Sequence, residues 1–579
     1  MYLKQTKNKA GRIYLSIMEA YRANGKVHHR TIEPIGYLDA LEAQYDDPIA
    51  YFQEYARALT EEKRAQNAKV ALEFFPAEKI DKRSDAERIG LGSIPLSYCY
   101  HALGLDRFWN NRKVHAHLAF DPNAIFRMLS YQRALHPGSK KDAWERAGEL
   151  PDRRAYTLDH VYQSLSFFAR HEKAFKAHID KALGQIRAQD TSRVYYDVTN
   201  YYFEVENDDA PGEGLRARGV SKEHHPGPIV QMGLMMDASG MPLDYELWRG
   251  NTVDCQTMLP ALRRVKDRHP DTRVVVVADK GLNTSANIAE AVSKGDGFIF
   301  SQSVRHAPKS LKEWVCDEKG YRSNSSGDFK IKSRQAHKRI KVKGEDGKTH
   351  TATVDVQEIA FWSRDFFERS RHEREKVVER SLRALERGEV SSAKSKTGAR
   401  YVKDLAYAPD TGEAAARAYE LDHGKIEEDA SLDGYYCIVT SEWEMDEKEV
   451  IDAYRQLWRI EDAFRVTKST LEARPVFVRT EGSIRAHFMT CYAALVMMRM
   501  LQEGLDWKYS ADRIQAGLAS LVGYREDANW YLFANRSEVT DAIGEMLGVQ
   551  LNRRRYTKGD IRQMMADSRK PGYEIWLKS

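Results

Sequence analysis

Ser192-Arg-Val-Tyr-Tyr-Asp197-Val-Thr-Asn-Tyr-Tyr-Phe-Glu204 is the stretch at which the chain changes character. Upstream of it, apolar residues recur at three- and four-residue steps. Here β-branched and aromatic residues follow one another, which is strand chemistry. A second run, Thr272-Arg-Val-Val-Val-Val-Ala-Asp279, is apolar and bounded by turn signals, as a buried strand is, and it also ends on an aspartate. Between them, Ile229 to Asp237 and Met241 to Trp248 read as strands joined by Ala238-Ser-Gly240, and Thr252 to Val265 reads as a helix. Asn283 to Ser293 reads as a helix and Gly297 to Gln302 as a strand. Strands followed by alternating helices and strands predict an α/β core.

That core is predicted to be interrupted. Residues Val304 to Asp433 are polar and mixed, with a basic run Lys330 to Lys343, β-like residues around Thr351 to Phe361 and a charged helix around Arg364 to Glu389. The core resumes with Gly434-Tyr-Tyr-Cys-Ile-Val-Thr440, and helices follow around Met445 to Leu471 and Ile484 to Gly504. Upstream, Ala50 to Gln66, Ile94 to Trp109, Asn123 to Leu135 and Leu158 to Ile186 carry helical spacing. At the start, Arg12 to Met18 and Lys26 to Ile35 read as two strands around an Ala23-Asn-Gly25 turn. The expected divisions are a β module at 1–40, a helical region at 41–190, a core in two parts at 191–303 and 434–505, an insertion lobe at 304–433, and a helical C-terminal region at 506–579.

The 579 residues are too many for one ordinary core. A net charge of +5 excludes a polybasic tail protein, so any nucleic-acid surface must come from local clustering of the 90 basic residues. Five scattered cysteines without a zinc-ligand spacing predict free thiols in a reducing compartment. A polar, basic N-terminus and the absence of a long apolar span predict a cytoplasmic protein with no membrane partner.

The chemistry is read from Tyr454-Arg-Gln-Leu-Trp-Arg-Ile-Glu461-Asp-Ala-Phe-Arg-Val-Thr-Lys468. It reads as a helix, with Tyr454, Glu461 and Lys468 near one face at seven-residue steps and Arg465 joining them. One acid among cations suits a carboxylate that holds a metal and cations that hold phosphates. With Asp197 and Asp279 it makes three carboxylates on strand and helix supports. Taken singly, each has a plainer reading, a strand-end cap or an exposed ion pair. Together they predict metal-dependent phosphodiester chemistry.

These motifs resemble the DDE transposases of bacterial insertion sequences, in the insertion-sequence-four-like group. Tyr454, Glu461 and Lys468 match the signature around that family's third acid, with Leu457 where the family has arginine. Tyr196-Asp-Val-Thr199 and Ala278-Asp-Lys-Gly281 look like the first- and second-acid motifs. Gly219-Val-Ser-Lys222, His224-His-Pro226, Arg249-Gly-Asn-Thr252, Arg474-Pro-Val and Arg479 to Phe488 resemble the connecting segments. The resemblance implies an α/β fold with an RNase H-like mixed-sheet core, a mainly β insertion before the last acid and a helical N-terminal region. It implies cut-and-paste transposition, with Asp197, Asp279 and Glu461 as catalytic residues and ligands of two Mg2+ ions, with Mn2+ as a substitute. It also implies terminal inverted repeats and target DNA as partners, a homodimer on DNA, the helical region at 41–190 as a candidate for DNA-end binding, and a nucleoid-associated protein. The rival functions are a nuclease of this fold that cuts without joining and an inactive DNA-binding relative.

Beyond the acids, the expected DNA contacts are Tyr454, Lys468, Arg465 in place of the missing family arginine, Trp314 as a base-stacking residue, and Lys338, Arg339, Lys341 and Lys343 along an exposed strip. Arginine restored at Leu457 is expected to be tolerated. For Trp362 and Trp458 core packing is the preferred reading. Arg553 to Arg555, with Lys558 and Arg562, form a second basic cluster. His224, His225 and His487 are not expected to bind metal.

Overall fold

The computed structural model describes the chain except residues 9–10, 24–25, 66–87, 115, 153–155, 271–272, 344–347, 388–399, 407–416, 527–528, 571–575 and 577–579. The Asn24-Gly25 turn and Gln66 lie outside the described residues. The chain forms two compact units, Met1–Arg83 and Ser84–Ser579.

The first unit is an antiparallel sheet of β1 (Tyr2–Lys7), β2 (Ile13–Ala23) and β3 (Lys26–Tyr37), with the helix Pro48–Ala65. Leu15, Ile17, Phe52 and Ala56 form its buried core. The amino group of Met1 donates to Thr60 Oγ1, which fastens β1 to the helix. β1 was not legible in the sequence because it is an almost wholly exposed, polar edge strand. The helix belongs with this sheet and not with the helical region that comes after it.

In the second unit, two of the expected helices are pairs. Ser93–Ala102 and Leu105–Val114 are separated at Gly104, whose φ of +60° only glycine adopts at low cost. Leu158–Arg170 and Glu172–Ile186 are separated at His171. With Pro122–Leu135 they pack Trp109, Phe126, Phe168 and Phe175 into one core. The helix Glu481–Gly504 is buried along most of its length, as an apolar run on every face requires.

A short β4 (Arg88–Gly90) precedes the central sheet. That sheet contains β5 (Arg193–Tyr202), β6 (Ile229–Met236), β7 (Pro242–Arg249), β8 (Val275–Ala278), β9 (Gly297–Gln302), β10 (Arg322–Ser323), β11 (Phe329–Lys343), β12 (Thr349–Ser363) and β15 (Tyr435–Thr440). A separate hairpin, β13 (Val402–Ala406) with β14 (Arg417–Leu421), lies between β12 and β15 in the chain. The strand order is β10-β11-β12-β15-β9-β8-β5-β6-β7. β5, β8 and β9 are parallel neighbours and β6 is antiparallel to β5. These strands are the RNase H-like core.

The insertion differs from expectation. Expected as a separate lobe, it continues the sheet, because β12 pairs with β15 and β15 with β9. The C-terminal region is also not purely helical. β16 (Val522–Arg525), β17 (Trp530–Phe533) and β18 (Arg555–Thr557) join β4 in a four-stranded sheet. Strands of three or four residues are too short to show alternation.

A buried polar cluster ties the helical region to the segment after Lys468. Lys140 Nζ donates to His487 Nδ1 (3.1 Å), and His487 Nε2 donates to the Ala473 carbonyl (3.0 Å). Burial, with Arg133 nearby, pushes Lys140 down to about 7 and His487 well below its ordinary value. Unfolded, a lysine titrates near about 10.4. Between those values the unfolded chain holds the extra proton, so stability rises with pH from about 7 and the gain is complete above about 10.4. Melting temperatures of the wild type and Lys140→Met measured across this window should diverge, the wild type gaining on the variant as pH rises. Parallel profiles would show that Lys140 is not held in this state.

Candidate active site

β5 and β8 pair with Tyr195 opposite Val277, so two residues further on Asp197 and Asp279 stand level. Strand alternation puts both on the face of Tyr195 and Val277, which belongs to the core cluster containing Ile451 and Ile460. The other face carries Val194, Tyr196 and Val276 in a second cluster. Tyr195 Oη donates to the Ala453 carbonyl (3.2 Å) and fixes the helix Glu447–Arg455 over the acids.

Asp279 Oδ1 accepts from Ser301 Oγ (2.7 Å) and from Tyr454 Oη (3.1 Å), and Tyr454 Oη also meets Tyr436 Oη at 2.6 Å. Asp197 accepts from the Val198 N–H (2.7 Å). Burial pushes Asp197 up to about 6; Lys222 opposes this, and Asp279 and Asp254 add repulsion. Asp254, also raised by burial, shares Lys222 as its opposing cation. The Lys222 amine itself donates to the Val198 carbonyl. Lys468 is pushed down to about 8 by burial and by Lys222, while Asp197 opposes the shift.

A desolvated carboxylate beside two others is short of positive charge. Hard oxygen donors in that state fit a divalent cation such as magnesium. Among the described residues, no group of three His, Cys, Asp or Glu side chains is already gathered for a metal.

Two glycine-bearing segments meet beside the last residues of β5 and the first of β6. A Cβ on Gly219 would lie 2.0 Å from the Gly250 carbonyl oxygen, and one on Gly250 would lie 2.2 Å from that of Ile229. The backbones therefore touch where side chains would keep them apart. Asn200 Nδ2 donates to Val220 O (3.2 Å) in the same place.

Residues 223–497 match the family model of the transposase DDE domain, and residues 3–70 match that of the N-terminal domain of IS1634 family transposases. The chain is a DDE transposase. No curated protein matches it. The DDE match contains Asp279, Glu461 and Lys468 and begins after Asp197. The transposase is a metal-dependent enzyme acting on DNA, and none of its described helices is long and apolar enough to cross a membrane.

The helix read across Tyr454 to Lys468 is not continuous. Glu447–Arg455 ends, Gln456 and Leu457 turn, Trp458–Arg465 comes next, and Val466–Thr470 is a π-helical turn carrying Lys468. Seven-residue spacing therefore does not place Tyr454, Glu461 and Lys468 on one face. Tyr454 and Lys468 still reach the aspartates, through a hydrogen bond and through charge. Glu461 is exposed on the middle helix, and among the described residues its carboxylate makes no hydrogen bond or ion pair.

Arg465 does not replace the family arginine at these acids. It is held by Asp462 (2.8 Å) and Asp512 (2.9 Å). Leu457 is 8% exposed within the core, so an arginine there would be a buried charge and would not be tolerated.

The basic strip is not uniformly exposed. Lys338 points inward, donating to Asn283 Oδ1 (2.9 Å), and burial lowers its pKa; Arg339 and Lys341 face out. The side chain of Lys343 lies outside the described residues. Trp314 is half-buried with Arg334 over its ring at 4.2 Å, which covers the face a base would need. Trp362 donates to the Asp433 carbonyl (3.2 Å), whereas Trp458 is 55% exposed and does not pack in the core. In the second basic cluster, Arg555 pairs with Glu526 (2.8 Å). His225 stacks on Tyr202.

Sequence reading missed Lys222, Glu223, Asp254, Ser301, Tyr436 and Arg474. Three of these lie in or beside segments already matched as connectors, Gly219 to Lys222 and Arg249 to Thr252, and Arg474 opens a third. Dense charge beside those glycines was the available signal.

Proposed function

We propose that this transposase, of the insertion-sequence-four-like group, cuts each strand at the ends of its element and joins the freed 3′-hydroxyl to target DNA. What supports this reading is the pair Asp197 and Asp279, level on neighbouring parallel strands, with Asp197 pushed up to about 6 by burial and by like charges. Asp197 and Asp279 would hold two Mg2+ ions, with Glu461 as the third ligand. Bound there, the metal supplies activation of the attacking hydroxyl and stabilisation of the leaving oxygen.

The remaining work belongs to side chains. Tyr454 and Ser301 fix the Asp279 carboxylate by donating to the same oxygen, which keeps its other oxygen free for a ligand. Lys222 and Lys468 place positive charge beside Asp197, where the scissile phosphate must sit. Arg339 and Lys341 face the DNA from the insertion, and the N-terminal regions, divided as 1–40 and 41–190 or at residue 83, recognise the ends. Two copies act together because two ends must be held, and the protein works at the nucleoid.

The test is a strand-transfer assay with the purified chain, a labelled duplex of the element's own terminus and a plasmid target. Joined product in Mg2+ and none with a chelator is expected. Cleaved ends that never join would favour the nuclease reading.

A further inference from the structure

Lys468 and Arg474 share one carboxylate. Lys468 Nζ donates to Glu223 Oε1 at 2.9 Å, and Arg474 pairs with Glu223 Oε2. Each oxygen of the acid thus has its own cation. The cations are mostly covered, their side chains 13% and 25% exposed, and Glu223 sits over them at 31%. Lys468 lies over the ring of Tyr201 and Arg474 over that of Tyr202, so the two cations rest on the last residues of β5. Val476 donates to the Tyr202 carbonyl (2.9 Å) and anchors the segment that carries Arg474.

Glu223 is delivered by a shaped turn. His224 adopts φ +57°, and Ser221 Oγ accepts from the N–H groups of both Glu223 (3.3 Å) and His225 (3.0 Å). On one side of this turn Lys222 reaches the Asp197 strand, and on the other His225 stacks on Tyr202 at 4.3 Å. A partly exposed ion pair contributes little to stability, so this placement needs another reason.

A carboxylate and a DNA phosphodiester each present two oxygens and one negative charge, and both suit a paired lysine and arginine. We propose that Lys468 and Arg474 form a seat for one backbone phosphate beside the reacting centre, and that Glu223 holds this seat until DNA displaces it. The proposal rests on Asp197 and Asp279 being that centre. Arg474 then supplies the guanidinium that Leu457 lacks and that Arg465, tied to Asp462 and Asp512, does not provide. Any DNA segment must displace the carboxylate, so segments offering few other contacts are turned away.

The experiment uses the full chain and a fluorescent duplex of the element's own terminus, with affinity measured as a function of salt. Glu223→Gln keeps the shape of the turn and removes the competing charge, and should tighten binding roughly tenfold at low salt. Arg474→Ala should weaken binding and flatten the log–log salt slope by about 0.9, and Arg474→Lys should restore the slope. In the Glu223→Gln/Arg474→Ala double variant the gain from glutamine should shrink, because one of the two released cations is gone. Thermal melts separate these effects from misfolding. Unchanged or weaker binding by Glu223→Gln, or an equal gain with and without Arg474, overturns the seat. Asp197→Ala tests the underlying reading alone: if it still cleaves, the reacting centre is misplaced, whatever Glu223→Gln does to binding.

Discussion

Alanine at Asp197 or at Asp279 is expected to cut strand cleavage by roughly 10³-fold or more while end binding persists. Both carboxylates stand on the same face of adjacent parallel strands, and Asp279 is already oriented by Ser301 and Tyr454. Removing either takes away a ligand at the point where charge must be balanced. It leaves Lys222, Lys468, Arg339 and Lys341 to hold DNA, so gel shifts with the element's terminus should change little. Glu461→Ala is expected to be equally inactive. Asp254 makes that result informative, since it already acts electrostatically on Asp197. Near-normal cleavage by Glu461→Ala, with loss in Asp254→Ala, would move the third carboxylate to Asp254. Near-normal cleavage by either aspartate variant would remove that residue from the site.

The second large effect is expected far from the acids. Arg133→Ala should destabilise the transposase by about 3 kcal/mol or more. The Arg133 guanidinium is buried and donates to the carbonyls of Leu471 (3.2 Å), Glu472 (3.0 Å) and Gly138 (2.7 Å). The first two end the π-helical turn that carries Lys468, and Glu472 is held at φ +41°. Alanine leaves buried acceptors without donors, and the turn loses the cation at its carboxyl end. The melting temperature should fall by several degrees, and cleavage should fall with it as Lys468 loses its position. Arg133→Lys, able to satisfy only part of the set, should lie between. Wild-type melting of Arg133→Ala would mean that the turn is held by other contacts.

The sheet was legible in the sequence where strands are long and buried. Val274 to Val277 and Val194 to Tyr202 could hardly be anything else, and both aspartates came with them. The helix around Glu461 was legible as helix but not in phase. A turn at Gln456–Leu457 and a π-turn at Lys468 leave no compositional mark, yet each rotates the residues beyond it about the helix axis. The basic run at β11 shows the same limit differently. Alternation turns every second residue inward, and only the pairing of β11 with β12 and the packing above it decide that Lys338 is one of these. Charge partners such as Glu223 for Arg474 are set by turns distant in sequence.

Because β9 ends at Gln302 and its neighbour β15 begins only at Tyr435, the order in which the chain is made matters. While the intervening residues are synthesised, at about 5–20 residues per second, the nascent chain carries the rim of β9 unpaired. An open strand rim recruits other strands, including those of neighbouring nascent copies. Asp197 and Asp279 have been made by then, on a sheet that still lacks β15. Completion of the enzyme is therefore a late, long-range closure, and conditions that slow elongation between residues 302 and 435 should lower its yield before they touch its chemistry.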